Sequence, residues 1–78
     1  MAEPLFDPSS PVPLYKQAAD HVAARAASGE LARGQRLPGE HDLAQEWGVA
    51  YLTVRRAMRE LRERGLVTTV PGKGTYVN

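Results

Sequence analysis

Arginine side chains are concentrated in one short stretch of this 78-residue chain. The segment GVAYLTVRRAMRELRERGLV, residues 48–67, contains five arginines, one aromatic residue and a stripe of apolar residues. A guanidinium group is planar and permanently charged, and it can bind a phosphate, or the O6 and N7 atoms of guanine, through two parallel hydrogen bonds. These residue types therefore indicate the recognition of anions or bases.

The charges are distributed unevenly along the chain, although the net charge is only +1. Residues 1–49 carry four basic and seven acidic side chains, a net charge of −3, whereas residues 50–78 carry six basic and two acidic ones, a net charge of +4. Lysine and arginine bind polyanions by neutralising phosphates and releasing condensed counterions. The C-terminal part thus has the charge of a surface that faces a polyanion, and the alternative is a solvated helix with i,i+4 ion pairs.

Three helices must position these side chains. We expect the first over residues 14–28, with Gly29 as its left-handed cap. A second helix is expected over residues 40–47 and a third over 51–64, with Gly48 ending the second. The third helix has apolar residues at the i, i+3, i+4 and i+7 positions of a buried face, namely Val54, Ala57, Met58 and Leu61.

The C-terminal residues predict a β-hairpin. LVTTV (66–70) and TYV (75–77) favour strands, and PGKG (71–74) is typical of turns. A very short strand is also expected at residues 35–37. The order helix, helix, short turn, helix and hairpin is that of a winged helix-turn-helix.

We therefore predict a mainly α fold with a small β-hairpin, a winged helix-turn-helix domain of three helices plus a wing. The domain is expected to span residues 12–78. Residues 1–11, which are rich in proline and serine, are expected to form a flexible arm.

The face of the third helix opposite its apolar stripe supplies the first candidate site residues. An α-helix fits the major groove of DNA, and the N-terminal part of a recognition helix carries the base-reading side chains. Arg55 is the candidate for reading guanine, whereas Arg56 and Arg59 are expected to hold phosphates. The other candidates at the start of this helix are Tyr51, Leu52 and Thr53.

Structural alternatives stay open for the same residues. The three arginines could be solvated side chains paired with Glu60 and Glu63, and Tyr51 could pack under the wing. In the wing, Pro71 and Gly72 permit a tight turn, and Lys73 can reach a phosphate or a minor groove, or be a turn lysine without a partner. A P-loop is excluded, because the spacing is wrong and a strand follows.

Four stretches together resemble the DNA-binding domain of bacterial transcription regulators of the GntR family. They are PLYKQAADHV (13–22), GQRLPGEHDLAQEWGV (34–49), LTVRRAMRELRERGLV (52–67) and PGKGTYV (71–77). The resemblance implies a repressor or activator with a winged helix-turn-helix, and the composition favours a cytoplasmic location. Such a regulator binds double-stranded operator DNA, commonly as a homodimer on an inverted repeat.

The resemblance also implies contacts at the starts of two helices. Where the family usually has an arginine that touches DNA, this chain has His41, which can still donate a hydrogen bond to phosphate. Where the family usually has Ser or Thr followed by Arg, this chain has Ala50 and Tyr51, and the lost capping hydroxyl costs about 1 kcal/mol. Arg55 matches the family's second groove arginine, and Gly72 matches the wing glycine that approaches DNA. The departures bear on the operator sequence rather than on DNA binding itself.

Other classes of function are weaker interpretations. The chain has no cysteine for a disulfide or a thiolate metal site, and its apolar runs are far shorter than the roughly 20 residues that cross a membrane. His21 and His41 have no recognisable metal-ligand spacing, and the serines lack the context of a catalytic triad. We therefore expect no enzymatic activity, metal, cofactor or membrane partner. The alternative function is a winged-helix module whose arginine face binds an acidic protein.

The resemblance ends at the wing. Family members normally continue into a domain that binds an effector and dimerises. The chain is therefore interpreted as an excised DNA-binding domain rather than a naturally short regulator, without a small-molecule effector site of its own.

Overall fold

The computed structural model describes residues 5–78, which form three helices followed by a two-stranded antiparallel sheet. The helices are α1 (Leu14–Ala27), α2 (Glu40–Trp47) and α3 (Tyr51–Glu63), and the strands are β1 (Val67–Val70) and β2 (Gly74–Val77). The predicted fold of three helices plus a β-hairpin wing is confirmed. The predicted α1 and α3 each extend one residue beyond the observed helix.

The core is built around the inner face of α3. All four residues of its predicted apolar stripe are buried, and both α1 and α2 pack against this helix. The buried residues of the three helices are Ala18, Ala19, Val22, Leu43, Trp47, Val54, Ala57, Met58 and Leu61. Because this stripe is fixed in the core, the opposite face of α3 is turned to solvent.

A turn of three residues joins α2 to α3. Gly48 ends α2 with a φ of 67°, a left-handed conformation that glycine adopts without strain. The N–H of Val49 donates to the carbonyl of Ala44 at 3.1 Å. Ala50 then caps α3 in an extended conformation without a side-chain hydrogen bond. Residues 40–63 are thus a helix-turn-helix unit.

The hairpin closes through a tight turn. The N–H of Lys73 donates to the carbonyl of Val70 at 3.0 Å, and Gly72 has a φ of 75°. With Pro71 and Gly72 as its two central residues, this is a type II turn. It places Lys73 at the exposed tip of the wing.

The segment before α2 pairs with the free edge of β2. Arg36 forms an antiparallel bridge with Tyr76, and the N–H of Leu37 donates to the carbonyl of Thr75 at 2.8 Å. The short strand expected at residues 35–37 is therefore a single bridge pair. It fastens the wing to the start of α2.

Residues 5–12 lie against the helices. Phe6 is buried, with its ring edge-on to His21 and to Trp47, both at 5.7 Å between centroids. The Asp7 N–H donates to the side chain of Gln17 at 2.9 Å, and that side chain donates back to the Asp7 carbonyl at 2.8 Å. Phe6 fills the space beside Trp47, and the flexible arm expected over residues 1–11 stays a prediction. Residues 1–4 of that arm lie outside the described residues.

Candidate nucleic-acid interface

The solvent-facing side of α3 is a cationic groove. It has a volume of about 300 Å³, and its lining residues are Leu52, Arg55, Arg56, Arg59 and Arg62. All five side chains are exposed, Leu52 to 67%. Four guanidinium groups and one apolar side chain therefore lie on a single face, opposite the buried stripe of the helix.

The arginines of this face differ in their partners. Arg59 pairs with Glu63 at 3.4 Å, and both side chains are more than 60% exposed. Arg55 and Arg56 form no salt bridge with any residue between 5 and 78, and the guanidinium carbon of Arg56 lies 4.4 Å from the ring centroid of Tyr15. The alternative of solvated ion pairs therefore applies to Arg59 alone. An exposed pair contributes about 0–1 kcal/mol, so Arg59 can exchange its carboxylate for a phosphate at little cost.

Arg64 has a different position from the other arginines of the segment. Its guanidinium donates to Glu60 at 2.9 Å and to Asp20 at 2.8 Å. The hydrogen bond to Glu60, and then that to Asp20, raises the pKa of Arg64 above its ordinary value. Arg64 thus ties the end of α3 to α1, and it does not line the cationic groove.

The start of α3 is joined to the start of α2 by two stacked rings. The centroids of His41 and Tyr51 are 4.0 Å apart, and the ring planes differ by 3°. The guanidinium carbon of Arg55 lies 5.9 Å from the Tyr51 centroid, at the outer limit of a cation–π contact. Tyr51 therefore packs on His41 rather than under the wing. The structure brings three of the predicted site residues together here, with Ala50 and Thr53 beside them in the chain.

The wing lies beside α3 and the start of α2. Gly72 and Lys73 are exposed in its turn, with Lys73 unpaired within residues 5–78. A second groove of about 340 Å³ separates this turn from the start of α2 and from α3, and Arg36 and Arg62 line it together with Lys73. The predicted wing residues are thus continuous with the cationic face of α3.

Sequence reasoning missed three residues of this surface. Arg62 follows Arg55 by seven residues and Arg59 by three, so helical periodicity alone could have placed it on the exposed face. Tyr15 and Arg36 have no such signal. They reach the surface only because α1 packs on α3 and because Arg36 pairs with β2.

Metal sites and membrane-spanning helices were also sought among residues 5–78. Between residues 5 and 78, no group of three or more His, Asp or Glu side chains is placed to hold a metal ion. In the same range, no helix is both long and apolar enough to span a bilayer.

Comparison with known proteins relates this arrangement to bacterial regulators. The family described as "Bacterial regulatory proteins, gntR family" matches residues 14–77. The Escherichia coli K12 mannosyl-D-glycerate transport/metabolism system repressor MngR is 46% identical over 65 residues, which are 83% of this chain and 27% of that protein. The chain therefore spans about a quarter of the length of that relative.

Two solved structures have the same fold. YtrA from Sulfolobus acidocaldarius, a GntR-family transcription factor, aligns with a TM-score of 0.87 and 35% identity, covering 97% of this chain and 81% of that one. The DNA-binding domain of AraR in complex with operator ORR3 aligns with a TM-score of 0.82 and 31% identity, covering 100% of this chain and 93% of that one.

Proposed function

Because this chain belongs to the GntR family of bacterial regulatory proteins, we propose that it binds double-stranded operator DNA sequence-specifically as the DNA-reading domain of a transcription regulator. In this role, α3 enters the major groove and the wing lies on the adjacent backbone or minor groove. The proposal gives the chain DNA as its ligand, and it assigns no reaction, cofactor or small-molecule effector to this domain. Because bacterial DNA lies in the cytoplasm, we propose that the protein acts there.

One observation carries the proposal, the groove formed by Leu52 and four arginines on the exposed face of α3. A helix of 13 residues is about 20 Å long and about 10–12 Å across with its side chains, which matches the roughly 12 Å width of the major groove. A face with this charge meets phosphates on both sides of such a groove. The AraR domain, which has the same fold, was solved in complex with an operator, and this supports DNA as the ligand.

The proposed contacts are of two kinds. Arg55 reads guanine, assisted by the side chains at the start of α3, which are Tyr51, Leu52 and Thr53. The phosphate contacts, which set the register on the duplex, come from Arg56, Arg59, His41 and Lys73, with backbone approach at Ala50 and Gly72.

A homodimer on an inverted repeat is part of the proposal. One domain of this size covers about 600–1,000 Å² of protein surface on DNA, which gives modest affinity by itself. Helix-turn-helix dimers bind two half-sites spaced by whole helical turns, so twofold protein symmetry is matched by a palindromic operator. The relatives' additional length is where we place the dimerising and signal-binding parts.

Selection from a randomised duplex pool tests the proposed function. The protein is incubated with the pool at low salt, and the retained duplexes are sequenced. We expect an enriched half-site, and recovery of paired half-sites would report the spacing of the dimer. A folded protein that retains no duplex would instead assign the arginine face to an acidic protein partner.

A further inference from the structure

The groove between the wing and the helices holds two arginines to which the proposal above assigns no specific DNA contact. Arg36 and Arg62 line it together with Lys73, and Glu40 is the one acidic residue among its described lining residues. None of the three cations forms a salt bridge with a residue between 5 and 78. The groove therefore carries positive charge that the domain itself does not neutralise.

Arg62 connects this groove to the cationic face of α3, since it lines both. Its Nη1 donates to Thr69 Oγ1 at 3.1 Å, and that oxygen lies 2.9 Å from Thr75 Oγ1 across the hairpin. A guanidinium has five N–H donors, so the bond to Thr69 leaves several available for an anion. The same bond holds the guanidinium between the helix and the wing.

Arg36 reaches the groove across Gly74. A Cβ atom built on Gly74 would lie 2.6 Å from Arg36 Nε, and the φ of Gly74 is 138°, which residues with a side chain rarely adopt. The backbone bridge to Tyr76 fixes the Cα of Arg36 beside β2. The missing side chain at Gly74 therefore makes the room in which the Arg36 guanidinium lies.

We propose that Arg36 and Arg62 each bind a backbone phosphate of the DNA strand in this groove, as contacts additional to those proposed above. The inference rests on the proposed function, because a duplex lying along α3 brings a strand to the wing. A DNA strand fits the site because phosphate oxygens accept the paired hydrogen bonds that arginine donates. No acidic side chain other than Glu40 opposes it among the described lining residues.

The test is the salt dependence of binding to a labelled, mixed-sequence DNA duplex, measured by fluorescence anisotropy. The slope in question is that of the logarithm of the binding constant against the logarithm of the salt concentration, and it is negative. Arg36→Gln and Arg62→Gln should each reduce its magnitude by about 0.9, the value for one phosphate contact on duplex DNA. If the affinities converge near 1 M salt, each variant binds about eightfold more weakly at 0.1 M salt. Arg33→Gln is the matched control, since Arg33 is exposed and lines neither groove. It should leave the slope unchanged.

A second variant separates phosphate binding from support of the wing. Thr69→Val removes the acceptor of the Arg62 bond but keeps the guanidinium, so its salt slope should stay that of the unsubstituted domain. If Thr69→Val loses as much slope as Arg62→Gln, Arg62 acts only by holding the wing. Thermal unfolding by circular dichroism confirms that each variant is folded.

The outcomes distinguish the two proposals. If the unsubstituted domain binds the duplex and Arg36→Gln and Arg62→Gln match Arg33→Gln, the additional phosphate contacts are wrong and DNA binding stands. If the folded, unsubstituted domain binds no duplex, the proposed function is wrong and this inference is overturned with it.

Discussion

The imidazole of His41 lies flat on the phenol ring of Tyr51, with 4.0 Å between centroids and 3° between planes. These rings belong to the first turns of α2 and α3, so the stack joins the two ends of the helix-turn-helix that face the proposed DNA site. The GntR resemblance implies an arginine at each of these positions. Two like charges in this arrangement would repel, whereas two aromatic rings attract and hold each other in place.

The stack should be measurable as a coupling energy. In a double-mutant cycle of His41→Ala and Tyr51→Ala, we expect a coupling of about 0.5 kcal/mol in the free energy of unfolding, at the low end for aromatic pairs because His41 is exposed. Urea unfolding measures each corner of the cycle. His41→Ala combined with Lys73→Ala serves as the control pair and should be additive. Additivity within about 0.3 kcal/mol for the stacked pair would show that the contact contributes nothing.

Arg55 should set the preference at one base pair of the operator. Arg55→Ala is expected to cost about 1–3 kcal/mol on the selected duplex and to relax the preference at one position, as the loss of a bidentate base contact does. Arg59→Ala is the control, since a phosphate contact weakens all sequences alike. Competition binding with single-position duplex variants measures both. Equal loss on every duplex would remove Arg55 from the reading role.

Lys73 should contribute affinity without sequence preference. Lys73→Ala is expected to weaken binding to all duplexes alike and to reduce the log–log salt slope by about one, because one phosphate contact is lost from the wing tip. Anisotropy titrations at several salt concentrations measure the slope. An unchanged slope and affinity would make Lys73 a turn residue without a partner.

The start of α3 should gain stability from a capping side chain. Ala50 has cap geometry but no side-chain hydrogen bond, so Ala50→Ser is expected to raise the free energy of unfolding by about 1 kcal/mol. Gly39→Ser is the matched control at the cap of α2, where glycine is already tolerated and the gain should be a few tenths of a kcal/mol. Urea unfolding gives both values. A loss of stability in Ala50→Ser would contradict the account of this cap.

Stability should fall below neutral pH through His21. Burial lowers the pKa of His21 below its ordinary value of 6.5, and the positive charge of Arg25 lowers it further against the opposing effects of Glu30 and Glu46. A lowered folded-state pKa means that protonation favours the unfolded chain. The contribution of neutral His21 to the free energy of unfolding is therefore complete above pH 6.5. It is lost as the pH falls through 6.5 toward the folded-state pKa.

Urea unfolding between about pH 7 and about pH 5.5 tests this, a window in which carboxylates with ordinary pKa values stay charged. His21→Gln should remove most of the decline in the free energy of unfolding, whereas Arg33→Gln, a substitution of an exposed arginine, should keep it. The pKa of Asp7 is also lowered, by its hydrogen bonds from Ser9, but Asp7 acts only at more acidic pH. An equal decline in all three proteins would exclude His21 as its source.

The sequence predicted the helices well because their signals are local. The stripe from Val54 to Leu61 follows helical periodicity, and Gly48 has the left-handed φ expected of a residue that ends a helix. The turn at Pro71 and Gly72 is likewise encoded by two adjacent residues. In each case the residues that determine the local structure lie within a few positions of one another in the sequence.

The rest of the site depends on contacts between distant segments. The stack of His41 on Tyr51 requires the angle at which α2 meets α3, and the groove beside Arg36 requires pairing with Tyr76, forty residues further along the chain. The burial of Phe6 was missed for the same reason, since its partner Trp47 lies on α2. Local sequence patterns carry no information on contacts between residues that are far apart in the sequence.

The salt dependence of DNA binding tests the central claim most directly. Fluorescence anisotropy on the selected duplex, at several salt concentrations, should give a log–log slope of about −2.7 to −4.5, which corresponds to between three and five cationic phosphate contacts at about 0.9 each. A slope near zero, or no binding at low salt by a protein that circular dichroism shows to be folded, would contradict the account.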